Sequence, residues 1–257
     1  MNSIELSIDQ GIARIFLNRP ETLNAFTREM ATRLLEALER CANEDVRVVI
    51  ISGRGRGFCS GQDLAEVKEL GIAMMETQLS DYYNPIVQAI NYLKKPVIAA
   101  VNGVAAGAGA NIALNCDIVV ASESASFVQA FSKIGLIPDS GGTYVLPRLI
   151  GMQKAKAIMF TGEKISAKDA EAWGMIYKTV AADSFESEVE KLAQQLREMP
   201  TKALGLIKQA LAGSVRNDLE SQLELEDRLQ QEAANSEDFK EGVAAFLEGR
   251  KPEFKGK

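Results

Sequence analysis

Asn102-Gly-Val-Ala-Ala-Gly-Ala-Gly-Ala-Asn111 follows directly on the apolar run Val97–Val101 and is almost bare of side chains. Gly and Ala in that density let backbone approach a neighbour closely and leave N–H groups free to point at it. Close helix–strand packing by small residues is the alternative reading of the same stretch. A second stretch, Gly135-Leu-Ile-Pro-Asp-Ser-Gly-Gly142, sets a lone carboxylate, Asp139, between a proline and a glycine pair. Backbone donors and one carboxylate suit chemistry in which a proton moves while an oxygen becomes negative. Asp139 also has a plainer reading, as the cap of a helix starting near Gly141.

Working outward, short apolar runs alternate with helical patterns. Ile4 to Gln10 and Ile12 to Asn18 alternate apolar and polar residues about Gly11, which predicts a β-hairpin. Thr27 is placed to cap a helix to about Cys41, with Met30, Leu34 and Leu38 on one face. Val46–Ser52, Val97–Val101 and Ile118–Ala121 read as buried parallel strands. Strands interleaved with helices predict an α/β fold. From about Ser184 onward only helical periodicity remains, and the charged segment 218–234 carries a Leu219, Leu223, Leu229 stripe suited to a partner. The chain is therefore divided into an α/β core over residues 1–195 and a helical region over 196–257.

Composition narrows the chemistry. The 257 residues carry 29 basic and 35 acidic side chains, a net charge of −6, with no clustered basic run, so nucleic acid is not an expected partner. Histidine is absent, which excludes a Ser-His-Asp triad, a Cys-His pair and His-ligated metal. Cys41, Cys59 and Cys116 are unpatterned, as in a reducing cytoplasm, and no metal site is expected. No targeting or membrane segment is expected either. The loop Gly53-Arg-Gly-Arg-Gly57 is basic and glycine-rich, but lacks the Gly-Lys-Ser/Thr ending of a phosphate loop and reads as a solvated turn.

Several stretches recur together in order: Asn18-Arg-Pro with Asn24-Ala-Phe26, Phe58-Cys-Ser-Gly-Gln-Asp-Leu64, the Gly-Ala stretch with Cys116-Asp117-Ile118, the Asp139 turn, and Ser236-Glu-Asp-Phe-Lys-Glu-Gly-Val-Ala-Ala-Phe-Leu247. This pattern resembles the crotonase (enoyl-CoA hydratase/isomerase) family along essentially the whole chain. The resemblance implies a spiral of ββα units and a C-terminal helical trimerisation region. It also implies an acyl-CoA substrate, no separate cofactor, and a homotrimer or a hexamer built from two trimers. It places two oxyanion-hole N–H groups at Ser60 and Ala108. The substrate and its CoA would lie along Ala25, Ser60, Gly61, Gln62, Asp63, Leu64, Gly107 and Phe131. Arg250 and Lys251 are candidates for the CoA phosphates. A nucleophilic role for Ser60 would need a base, and none is in view.

The departures from the pattern are informative. The two glutamates that activate water in hydratases of the family would fall at Asn111 and Phe131. Asparagine is no base, and phenylalanine makes that wall apolar. Asp139 stands where hydratases usually have glycine, and an aspartate there resembles the branch that shifts double bonds. Further short runs, among them Tyr83-Asn84-Pro85 and Phe127-Val-Gln-Ala-Phe-Ser-Lys133, are similar to isomerases of ring-epoxidised phenylacetyl-CoA that also convert Δ3- to Δ2-enoyl-CoA. The expected activity is therefore an isomerase with Asp139 as proton carrier. A hydratase of the same family and a non-catalytic acyl-CoA-binding subunit are the alternatives.

Overall fold

The structure, a computed structural model, describes residues 2–257. The N-terminal hairpin forms as expected: β1 (Ile4–Asp9) pairs antiparallel with β2 (Ile12–Leu17). Helix α1 (Arg28–Arg40) starts where Thr27 Oγ1 accepts a hydrogen bond from the Met30 N–H at 3.2 Å. Met30, Leu34 and Leu38 recur every four residues along it and are buried to within 1% of full burial. Each contributes about 1.5–3 kcal/mol by leaving water. Leu34→Ala would cost about 2–5 kcal/mol.

Beyond α1 the chain repeats one manoeuvre. β3 (Val48–Gly53) and β4 (Gly57–Cys59) are followed by α2 (Leu64–Leu70), a short α3 (Met75–Gln78) and α4 (Asn84–Tyr92). β5 (Val97–Val101) and β6 (Val104–Ala106) are followed by α5 (Ala108–Leu114). β7 (Ile118–Ser122) and β8 (Ser126–Val128) then lead to α6 (Gly142–Thr161). In each pass the first strand joins a six-stranded sheet ordered β1-β2-β3-β5-β7-β10, parallel from β2 onward, where β10 is Lys178–Val180. The second strand joins a four-stranded sheet ordered β4-β6-β8-β9, with β9 at Lys164–Ser166. This is the spiral of ββα units in an α/β fold. Sequence reading treats Gly57 and residues 102–106 as turn and assigns no strand to 58–59 or 164–166. Three-residue strands are too short to show a period of two, and only pairing with neighbouring turns of the spiral makes them strands.

Both faces of the larger sheet are covered, so its strands read as unbroken apolar runs. Val49, Ile51, Ala99 and Val101 face α1, α4 and α5, in one cluster with Leu34, Ile86, Ile90 and Ile112. Val48, Ile50, Ile98 and Ala100 belong to the opposite face, where α8 (Phe185–Arg197) contributes Phe185, Val189 and Ala193. Helix α7 (Ala167–Ala172), which precedes α8 in the chain, is capped by Ser166. The remaining helices are α9 (Thr201–Ser214), α10 (Leu219–Ala234) and α11 (Glu237–Glu248), the last two capped by Asp218 and Ser236. The expected leucine stripe divides: Leu229 is buried within the chain, whereas Leu219 and Leu223 are exposed. No helix among the described residues is long and apolar enough to cross a membrane.

Candidate active site

The Gly-Ala stretch is glycine-rich because another loop crosses it. A Cβ on Gly61 would lie 2.9 Å from the Ala106 carbonyl oxygen and 3.6 Å from the Ala108 nitrogen. One on Gly109 would meet Cys59 at 2.6 Å, and Gly107 holds φ 53° and ψ −129°, a conformation that L side chains avoid. Close packing and free donors, the two readings of the stretch, are thus both present. The Ala108 N–H opens α5 and has no acceptor among the described residues. Phe131 is almost fully buried, and its ring edge would lie 3.8 Å from a Cβ on Gly107, so it walls this turn.

The second donor expected at Ser60 is not available. Its N–H donates to the Leu23 carbonyl at 2.9 Å and its hydroxyl to the Thr22 carbonyl at 3.0 Å. Two residues on, the Gln62 N–H has no acceptor among the described residues. The reason is local. Phe26 and Gln62 form a parallel bridge in which Phe26 donates to the Gly61 carbonyl and accepts from the Asp63 N–H. That pattern aims the intervening Gln62 N–H away from Phe26. Gly61, at φ 93°, breaks the extended run that would have made Ser60 and Gln62 equivalent.

The other expected binding residues form the frame of this crossing. Asp63 Oδ1 caps α2 by accepting from the N–H groups of Ala65 and Glu66, and Asp63 pairs with Arg19 at 2.9 Å. Burial alone would raise the Asp63 pKa, but Arg19 and the cap hydrogen bonds outweigh it and hold the carboxyl below its usual range. Its side chain is structural. Arg19 also reaches the Ala25 carbonyl, while Leu64 is exposed. Arg250 is engaged by Glu241 and Glu248, and Lys251 by Glu198, so neither cation offered for the CoA phosphates is unpaired within the chain.

Asp139 lies between a 3₁₀ turn (Ala130–Ile134) and α6. It does not cap that helix: the capping position is Gly141, and no side chain bonds there. Instead the Asp139 carboxylate accepts from the Ser140 hydroxyl at 2.8 Å. Burial raises its pKa to about 6, and the Ser140 hydrogen bond only partly opposes the rise. The backbone around it is fastened tightly. Asn111 Nδ2 donates to the Asp139 carbonyl at 2.8 Å, and Asn115 Nδ2 to the Ser140 carbonyl at 2.9 Å. Asn111 Oδ1 in turn accepts from Gln129 Nε2 at 2.7 Å. Three positions separate Asn111 from Ala108, which puts both on one face of α5. Asn111 therefore ties the Asp139 turn to the helix whose first N–H has no acceptor among the described residues.

Two contributors escaped sequence reading. Asn24, fully buried with φ 57°, donates to the Arg54 and Gly57 carbonyls and accepts from the Arg19 N–H, so it braces the Gly53–Gly57 turn. Asparagine's tolerance of left-handed backbone was the available signal. Gln129 had none, because its partner Asn111 is distant in sequence. Gln62 had been expected to bind through the substrate loop, but its side chain accepts from the Tyr83 hydroxyl at 3.1 Å. Tyr83 is fully buried, and its pKa is pushed above the usual range by burial first, with a further rise from the negative charge of Asp139. Burial pushes the Cys59 thiol up to about 12, which removes it as a nucleophile.

A ββα spiral thus leaves two N–H groups without acceptors among the described residues, and fastens a turn with a desolvated carboxylate to the helix that carries one of them, a set of groups of the kind that can hold an oxyanion while a proton moves. The chain belongs to the enoyl-CoA hydratase/isomerase family, whose profile matches residues 7–257. It is 46% identical to the 1,2-epoxyphenylacetyl-CoA isomerase of Escherichia coli over the whole of both chains. It is 45% identical to a probable enoyl-CoA hydratase of Rhodobacter capsulatus, over all of this chain and 99% of that one. The enoyl-CoA hydratase structure from Bacillus anthracis superposes with a TM-score of 0.95 at 31% identity, covering 99% of this chain and 100% of that one.

Proposed function

We propose that the chain is an acyl-CoA isomerase that moves a double bond from Δ3 to Δ2, with Asp139 as its single mobile base. The observation that carries this reading is the Asn111–Asp139 pairing. The position expected of a water-activating glutamate holds an amide already committed to Gln129 and to the Asp139 backbone, and the carboxylate is moved to Asp139. In the proposed cycle, Asp139 takes a proton from the carbon beside the thioester, and the N–H groups of Gln62 and Ala108 hold the resulting enolate oxygen. Protonated Asp139 then returns the proton to the far end of the conjugated system. One carboxyl serves both steps, so no second acid is needed. A pKa of about 6 suits that shuttle, being close enough to neutrality for the base and conjugate acid to exchange readily. Phe131 and the packed Gly-Ala turn keep bulk water from the enolate.

The relative that isomerises 1,2-epoxyphenylacetyl-CoA supports a second substrate for the same site, a ring epoxide whose opening charge the two N–H groups would steady. Exposed apolar side chains on the C-terminal helices, including Leu219, Leu223, Phe246 and Leu247, support a homotrimer or hexamer assembled through residues 196–257.

The test is Asp139→Asn assayed on cis-3-hexenoyl-CoA. Loss of about 10²–10⁴-fold in kcat is expected for removal of a general base. Activity within a few-fold of the parent would remove Asp139 from the mechanism. Hydration of crotonyl-CoA that survives the substitution would favour a hydratase. Binding of thioesters without turnover of any would favour a non-catalytic subunit.

A further inference from the structure

Gln78 closes α3, fully buried, and neither its Nε2 nor its Oε1 atom has a hydrogen-bond partner among the described residues. Gln62 Nε2 is buried and unpartnered as well. Both amides stand at the Tyr83 hydroxyl: it donates to Gln62 Oε1 at 3.1 Å, and the Gln78 side chain lies close enough to favour its ionised form but outside the geometry of a direct hydrogen bond. Gln62 is the residue whose N–H stands free at the loop crossing, and the charge of Asp139 is felt at Tyr83. The orphaned amide atoms and the carboxylate with the raised pKa therefore share one locality. A π-helical turn, Leu79–Tyr83, joins Gln78 to Tyr83. Such widened turns recur at functional sites.

Folded proteins leave few buried polar atoms unpaired, because each forfeits the hydrogen bonds it made with water. A leucine at position 78 would fill comparable space with no such loss. A hydrocarbon acyl chain lying against these amides would leave them unpaired, while an oxygen atom would satisfy them. We infer that Gln78, together with Gln62 Nε2, is the specificity determinant that receives an oxygen on the acyl group, so that thioesters of oxygenated acyl groups bind ahead of plain hydrocarbon ones. An epoxide or ring-ether oxygen accepts from the two amide N–H donors; a hydroxyl can in addition donate to Gln78 Oε1. The inference rests on the reading that an acyl-CoA lies between Gln62 and Asp139.

The experiment measures dissociation constants for phenylacetyl-CoA and 2-hydroxyphenylacetyl-CoA by titration calorimetry on the full chain, for the parent, Gln78→Leu and Gln78→Met. Neither ligand contains a double bond that can be shifted, so the readout does not depend on turnover. In the parent, the hydroxylated ligand should bind at least ~10-fold more tightly, and in both variants that preference should fall to about one. Equal affinities in the parent would mean that the amides hold ordered water only, and the inference fails. It also fails if the preference persists in a folded variant. Should Gln78→Leu not fold, Gln78→Met is closer in length, and the parent's ratio decides by itself. Failure of the isomerase reading appears elsewhere, as hexenoyl-CoA turnover that survives Asp139→Asn, and leaves this affinity ratio untouched.

Discussion

Asp139→Asn should do two opposite things, and their joint pH dependence tests the account of the site. In the folded chain the Asp139 carboxyl has a pKa of about 6 against an ordinary 3.8, because burial disfavours its charge. A carboxyl whose pKa is raised by folding binds its proton more tightly in the native state. Its favourable contribution is complete below about 3.8 and is lost as pH rises through about 6. Above that, the folded protein holds a charge it would rather not hold. The gap of roughly two pH units corresponds to roughly 3 kcal/mol at ~1.4 kcal/mol for each. Solvent reaching the half-buried carboxyl trims this to about 1–2 kcal/mol. Asparagine has the same shape and can still accept from the Ser140 hydroxyl, so it removes the charge and little else. For a chain of this size ~1–2 kcal/mol corresponds to ~2–8 °C in Tm. Thermal scans of parent and variant from pH 4.5 to 8 should show the variant gaining stability relative to the parent as pH rises through 6, while the proposed isomerase activity is lost. A variant that is less stable at pH 8, or a difference in Tm that does not change with pH, would refute the assignment of a desolvated carboxylate.

Ser140→Ala removes the one hydrogen bond that steadies the charged form of Asp139, so the acid limb of kcat/KM should move to higher pH by about one unit; a pH–rate profile reads this directly. Ala108→Pro deletes a single N–H at the first position of α5, where helices accept proline, and kcat should fall ~10²–10³-fold with the fold retained by circular dichroism. Gly109→Ala drives a methyl to 2.6 Å from Cys59 and should lower stability by at least ~1–3 kcal/mol, seen as a lower denaturant midpoint.

Much of this protein is written in local pattern. The hairpin about Gly11, the Thr27 cap, the apolar runs of β3, β5 and β7, and the helical ending are all set by periodicity and turn chemistry within a few residues. The Gly-Ala stretch announced a close backbone approach for the same local reason, since only small residues permit it. The exchange of carboxylate for Asn111 and Phe131, with Asp139 supplied instead, and the lean toward an isomerase could be read from the sequence only through its resemblance to the family, which says where the glutamates would fall.

What the tertiary structure decided is which backbone groups are left unpaired, and that depends on partners far away in the chain. Ser60 and Gln62 differ as available N–H donors only because Leu23 accepts from one, and the Phe26 bridge turns the other away. Likewise, Asn111 acquires its task from Asp139 and Gln129, which lie 28 and 18 residues along the chain. A sequence determines which groups can donate or accept a hydrogen bond; only the folded chain, by satisfying most of them, determines which remain for a substrate.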